Sequence, residues 1–257
     1  MGFESPLGDD GMLCLVVGDC ALLAINLQER KVTGNEVKTA LKPRQKEFEA
    51  RTGNPPSRPE LLQLKDEIKT DLMRTTNPVS STVYVLIDRS TDRLYLSTTT
   101  KASLDNVTPF VRKNLNLTLT TDVSVSNLTR VLTNFVRNPE NTPENFQLGD
   151  RAGLFDSVAE STVTIRGDDL TSSEIVALLS TDKQVESLQL RIVDKATFVL
   201  HQDWSLRSLK VDLTALDDET GSDDSMAADL QATLLIYGQV LREINATLQQ
   251  EVDNLPE

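Results

Sequence analysis

A chain of 257 residues, 39% hydrophobic and 25% charged, has the composition of a soluble globular protein long enough for one or two domains. No apolar run approaches the roughly 20 residues of a membrane span, and Met1-Gly2-Phe3-Glu4 lacks the basic start and apolar block of a secretory signal. The net charge of −13 is uneven: residues 1–160 hold 19 Lys/Arg against 21 Asp/Glu, and residues 161–257 hold 7 against 18. The second part therefore repels nucleic acid on average, while the first is nearly neutral and can present a basic face.

In chain order, the apolar segments 11–17 and 21–27 flank Gly18-Asp19-Cys20 and predict a β-hairpin. Cys14 and Cys20 read as reduced, buried small residues. Residues 35–52 form an amphipathic helix that is kinked at Pro43 or starts there. After the break at Gly53-Asn54-Pro55-Pro56, a second helix runs from Pro59 to Met73, with Ser57 as its N-cap. Strands at 82–88 and 93–98 make a second hairpin. Next come a helix over 102–115 with Pro109 in its first or second turn, a short strand at 118–121, and a helix over 128–136 capped by Ser126 or Asn127. The Pro/Asn/Glu segment 138–145 is the expected boundary between an N-terminal part, 1–137, and an acidic C-terminal part, 138–257. That part begins with a strand at 161–166 and a short helix capped by Thr171 or Ser172. Strands at 184–193, 196–202 and 205–212 follow, then an acidic loop at 217–224 and a long helix over 225–252. Strands and helices in runs, without regular alternation, point to an α+β fold with mainly antiparallel sheets and flanking helices.

One ordered series stands out. Asp169-Leu-Thr-Ser-Ser-Glu-Ile175 is followed by alternating Val185, Leu188, Leu190 and Ile192, by Phe198-Val199-Leu200, and by Ser205-Leu206-Arg207-Ser208-Leu209-Lys210. This series resembles the C-terminal half of the bacterial recombination-associated RdgC family. Phe3 to Gly8, Val37 with Ala40-Leu41, Leu64-Lys65-Asp66-Glu67-Ile68, the hairpin Leu86-Ile87-Asp88 with Leu94-Tyr95-Leu96, and Gly238 extend the likeness across about 230 residues in the family's order. The resemblance implies an RdgC-like homodimer closed into a ring that encircles double-stranded DNA without sequence preference and limits access of a RecA-type recombinase. It implies a cytoplasmic, nucleoid-associated protein with no membrane partner, no cofactor and no enzymatic activity. The family's pattern places a further strand and helix before the segment matching Phe3, and without them a sheet edge or packing face is expected to be open. Cations are also lost at Gly53–Arg58 and at Arg166-Gly167-Asp168, and aromatics at Arg74-Thr75-Thr76-Asn77. The compact, acidic form fits a mobile element such as a phage as well as a chromosome.

The candidate DNA contacts are Lys38, Lys42, Arg44, Lys46, Arg51, Arg58, Lys65, Lys69 and Arg74 on the two charged helices, with Arg166, Arg207 and Lys210 on or beside strands. Residues 30–74 hold 11 Lys/Arg against 7 Asp/Glu, and Lys38, Lys42 and Lys46 recur every four residues. A phosphate-tracking wall accounts for this pattern; so does a solvated face whose lysines are balanced by Glu47 and Glu49. Three apart on a strand, Arg207 and Lys210 should point to opposite faces. A weaker DNA binder that docks on a recombinase or host factor is the alternative. A metal-dependent nuclease built on Asp168-Asp169, Asp217-Asp218 or Asp223-Asp224 is a third reading, disfavoured because these pairs sit in turns and a loop. No Ser or Cys motif accompanies His201, the only histidine, and Trp204 reads as a turn anchor or core residue.

Overall fold

The computed structural model describes residues 1–8, 11–120, 125–156, 158–179, 183–214 and 226–255. The architecture is α+β. One five-stranded sheet contains β1 (Gly2–Glu4), β2 (Cys14–Val17), β3 (Cys20–Glu29), β4 (Val79–Asp88) and β5 (Arg93–Leu96), in the order β1-β3-β4-β5 with β2 also on β3. The other contains β6 (Phe146–Asp156), β7 (Ser161–Arg166), β8 (Gln184–Ile192), β9 (Ala196–His201) and β10 (Leu206–Val211), in the order β10-β9-β8-β6-β7. The pairings β1·β3, β2·β3 and β4·β5, and all four in the second sheet, are antiparallel. The chain divides into two compact units: Met1–Glu4 with Ala24–Val83, and Ser5–Leu23 with Tyr84–Glu257.

In the first unit β1 pairs with the second half of β3, Phe3 opposite Ile25. The Glu4 carboxylate accepts hydrogen bonds from Thr82 Oγ1 (2.5 Å) and Asn26 Nδ2 (2.8 Å), which hold it below its ordinary pKa. Two helices follow, α1 (Gly34–Thr52) and α2 (Arg58–Thr75). Each starts with a reciprocal capping box, Thr33 with Glu36 and Ser57 with Glu60, and α1 stops at Gly53 in the left-handed conformation (φ 74°). Pro43 neither starts nor ends α1, which runs through it unbroken. The ring lies on the exposed side, and the helix bond it cannot donate leaves only the carbonyl of exposed Thr39 to solvent. Only Leu41 of α1 and Ile68 of α2 are buried, so the pair holds little core of its own.

The second unit has the larger core. The inner face of the second sheet (Leu154, Leu188, Leu190, Phe198 and Leu200 among others) packs with α4 (Val125–Arg137), α5 (Ser173–Leu179) and α6 (Met226–Asp253). Because α4 begins at Val125, Ser126 and Asn127 lie inside its first turn and are not its cap. Buried Thr133 of α4 donates its hydroxyl to Thr129 O (2.7 Å) and accepts the Val185 N–H (3.0 Å), so its polar group is satisfied inside the core. In α3 (Lys101–Leu115), Pro109 sits in the third turn, later than its sequence position suggested, again on an exposed side. Residues 118–120 form no strand; Arg112 reaches the carbonyl of Leu119 there (3.0 Å). The expected acidic loop at 217–224 lies outside the described residues.

Strand β6 was not legible in the sequence, although it sits between β7 and β8. Its Gly149 and Gly153 add no apolar signal, but each makes room for a neighbour. A Cβ at Gly149 would lie 2.6 Å from the Gln189 side chain, and one at Gly153 2.5 Å from Ser187 Oγ. Gln189 Oε1 in turn accepts the Asp150 N–H where the β6–β8 register shifts. A second cluster of this unit joins Leu15, Cys20, Leu22 and Leu86 to Leu234 and Leu241 of α6. It is fastened by a forked ion pair: Arg242 Nε and Nη2 donate to Asp88 Oδ2 (2.7 Å) and Oδ1 (2.9 Å). Cys20 is buried and Cys14 only half-buried; both are free thiols.

Candidate nucleic-acid interface

The helix period separates the cations of the first unit into groups. On α1 the half-buried and buried positions Val37, Ala40, Leu41, Gln45 and Phe48 make one stripe. Lys38, Lys42 and Lys46 share a solvent-facing flank beside it, and none forms an ion pair with a described residue. Arg44 falls on the stripe side and pairs with Asp71 of α2 (3.6 Å), and the Arg51 guanidinium lies 5.8 Å from the Phe48 ring centroid. On α2, exposed Arg58, Lys65 and Lys69 fall on one flank and Glu60, Glu67 and Asp71 on the other; Arg74 is exposed in the last turn. Arg30 caps that end, its Nη1 donating to the carbonyls of Met73 (3.2 Å) and Arg74 (3.1 Å).

In the second unit, strand register decides where the cations point. Arg207 on β10 pairs with Val199 on β9, and Lys210 pairs with Thr197. Three residues of β10 thus oppose two of β9. The extra residue is a β-bulge in which Ser208 adopts φ 51°. Val199 and Thr197 share a face of β9, so Arg207 and Lys210 lie on the same face, not on opposite ones as simple alternation requires. Leu206, Leu209 and Val211 all pack toward the core, which is the same irregularity seen from inside.

That outer face carries more. Thr197 is also opposite Arg191 of β8, and Arg191 opposite Gln147 of β6. Arg166, at the end of β7, stands directly opposite Arg151 of β6, with Ala152 and Ile165 next to them turned inward. Arg151, Arg166, Arg191, Arg207 and Lys210 are therefore five exposed cations on one side of one sheet. Adjacent strands are about 4.8 Å apart, so Arg191 and Lys210, two strands apart, are separated by about 10 Å. Of these five, only Arg151 forms an ion pair with a described residue, Asp150 at 3.8 Å. Two arginines opposed on neighbouring strands repel each other, an arrangement that an anion between them would relieve. His201 belongs to this face, opposite Ser187. Burial, and then the positive Arg207, outweigh Asp203 and Glu186 and hold its imidazole below the usual pKa. Glu186, beside Gly153, and Asp203 bring negative charge close to His201 on this face.

Arg151 and Arg191 were not among the sequence candidates. Arg191 was findable, since it alternates with buried Leu188, Leu190 and Ile192; Arg151 was hidden with the unrecognised β6. Asp169, proposed as a turn residue, accepts the Thr171 N–H (2.9 Å) and hydroxyl (2.7 Å). Asp217, Asp218, Asp223 and Asp224 lie outside the described residues, among which no three His, Cys, Asp or Glu side chains gather to hold a metal. No described helix is long and apolar enough to cross a membrane.

Comparison with known proteins agrees with the ordered likeness in the sequence. A family model described as "Putative exonuclease, RdgC" matches residues 1–254. A protein of Psychromonas ingrahamii named recombination-associated protein RdgC is 26% identical over 252 residues, covering 96% of this chain and 83% of its own. Similar relatives of the same name occur in Shewanella halifaxensis (26% over 252 residues, the same shares) and Xanthomonas oryzae pv. oryzae (27% over 256 residues, 96% and 84%). The match spans nearly the whole chain, and the protein belongs to the RdgC family of recombination-associated proteins.

Proposed function

We propose that this protein binds double-stranded DNA without sequence preference, as a homodimer closed around the duplex, and modulates RecA-dependent recombination without enzymatic activity of its own. The observation that carries the reading is the outer face of the second sheet, where five cations stand on strands; Asp150 pairs with Arg151, and acidic Glu186 and Asp203 lie near His201. Cations held on a sheet at strand spacing suit phosphates, which carry charge but no sequence information. The lysine flanks of α1 and α2 add a second basic surface in the other unit. Lys38, Lys42, Lys46, Lys65 and Lys69 are free to meet phosphate, with Arg58 and Arg74 beside them. Arg44 and Arg51 are already engaged and contribute less. The implied setting is the cytoplasm, on the nucleoid or on a phage genome.

Fluorescence anisotropy with a 30-base-pair duplex at several salt concentrations tests this reading. Binding is expected for unrelated sequences and weakens with salt. The triple variant Arg191→Ala, Arg207→Ala, Lys210→Ala is expected to lower the slope of log K against log salt by about two to three. Light scattering should give twice the chain mass of 28.4 kDa. No binding at low salt, or an unchanged slope in the triple variant, would overturn it. The excess of 18 Asp/Glu over 7 Lys/Arg in residues 161–257 favours a second reading, docking on a recombinase or host factor with weak DNA affinity; co-sedimentation without DNA separates the two. Magnesium-dependent loss of linear DNA would instead recover the nuclease reading that the family description carries.

A further inference from the structure

The second unit contains a half-open cavity of about 830 Å³ that no part of the proposed DNA function uses. Its walls come from Leu94 and Leu96 of β5, Leu206 and Leu209 of β10, and Leu230 and Leu234 of α6. Trp204, the only tryptophan of the chain, forms part of the wall where β9 turns into β10. Of the 24 residues around the cavity, 13 are Leu or Ile, and Asp203 alone is charged at neutral pH. That carboxylate is committed to the Trp204 turn: its Oδ1 accepts the Ser205 N–H (3.0 Å) and hydroxyl (2.6 Å).

We propose that this cavity is a binding site for an uncharged, largely apolar small molecule. The volume lies in the range that encloses a drug-sized ligand, and the lining is of the kind that holds one. Water finds few partners in such a lining, so the space favours hydrocarbon over solvent. A charged head group of either sign is disfavoured. No Lys or Arg lines the cavity to receive an anion, and the one carboxylate that could receive a cation is exposed and already turned toward Ser205. Polar atoms that could orient a ligand are neutral ones, such as Asn245 and Thr233 of α6.

The full-length protein should be titrated with N-phenyl-1-naphthylamine, a neutral apolar fluorophore. Because Trp204 is the sole tryptophan, energy transfer from it reports a bound probe, and the cavity-filling variants below locate it. Saturable binding of one probe per chain is expected. Dodecanol should displace the probe, and dodecanoate and dodecylammonium should do so at least about tenfold less well. Thr233→Phe and Leu96→Phe each fill part of the cavity, and each should weaken the probe at least about tenfold, while Val158→Phe on the surface should not. Far-UV circular dichroism identifies a variant that has not folded, and the remaining filled variant then decides. Absent or non-saturable binding, equal affinity in a folded filled variant, or preferred displacement by a charged amphiphile would overturn the proposal. So would probe binding that falls as protein concentration rises, because a second copy would then be the occupant.

Discussion

Asp88→Asn tests how the second unit is held together. Asp88 is 1% exposed and lies at the end of β4. It accepts two hydrogen bonds from the Arg242 fork, and also those of the Ser90 N–H (3.0 Å), the Ser90 hydroxyl (2.7 Å) and the Thr91 hydroxyl (2.8 Å). Burial alone would raise its pKa, but Arg242, Ser90 and Thr91 outweigh burial and hold the carboxyl well below the usual range. Removing one partner of a buried pair costs about 3–5 kcal/mol. The Arg242 side chain is 32% exposed, so part of its freed charge is solvated and the lower end, about 3 kcal/mol, applies. For a chain of this size that corresponds to a fall in Tm of about 6–12 °C. The sign of the pH dependence follows from the depressed pKa. The stabilisation is complete above the unfolded carboxyl value of about 4 and fades as pH falls toward the folded one. Thermal melts followed by circular dichroism should therefore show a wide gap between wild type and Asp88→Asn at pH 7, narrowing below about pH 4. A gap of less than about 2 °C at pH 7, or one that does not change with pH, would refute the reasoning.

Gly238→Ala should lower stability although alanine is the better helix former, because the new Cβ would lie 2.6 Å from the buried Cys20 Sγ; pairing it with Cys20→Ala should recover the loss, and thermal melts of the two variants check this. Tyr95→Phe should be neutral or should raise Tm, since the Tyr95 hydroxyl is buried without a hydrogen-bond partner among the described residues. His201 supplies a single imidazole resonance in a proton NMR titration. Its midpoint should lie below 6.5, move up in Arg207→Ala, and move up again in the wild type when duplex is added and phosphate offsets Arg207. Gly153→Ala should destabilise the protein in a urea melt by forcing β6 away from Ser187.

Most elements were legible because their apolar periods are clean. Ser57 was identifiable as a cap because Glu60 stands three residues on, and the strands at 184–193 and 196–202 alternate almost without error. Strand β6 was not legible because its glycines serve its neighbours and carry no signal of their own. The uninterrupted α1 could not be read from Pro43, since what matters is which side of the helix the proline occupies. The candidate interface was half legible. The residue types were visible, but the grouping of Arg207 with Lys210, and of both with Arg191, depends on a register that periodicity does not contain.

The left-handed residue at Ser208 has a consequence for how such chains diverge. Straightening that corner with Ser208 retained would swing Lys210 from the exposed side into the hydrophobic interior, with the overall charge unaltered, whereas deleting the extra residue would leave it outside. Relatives of equal acidity could then differ sharply in their attraction for a polyanion. Whether this strand keeps its bulge, more than the tally of acids and bases, is the variable to inspect when ranking them.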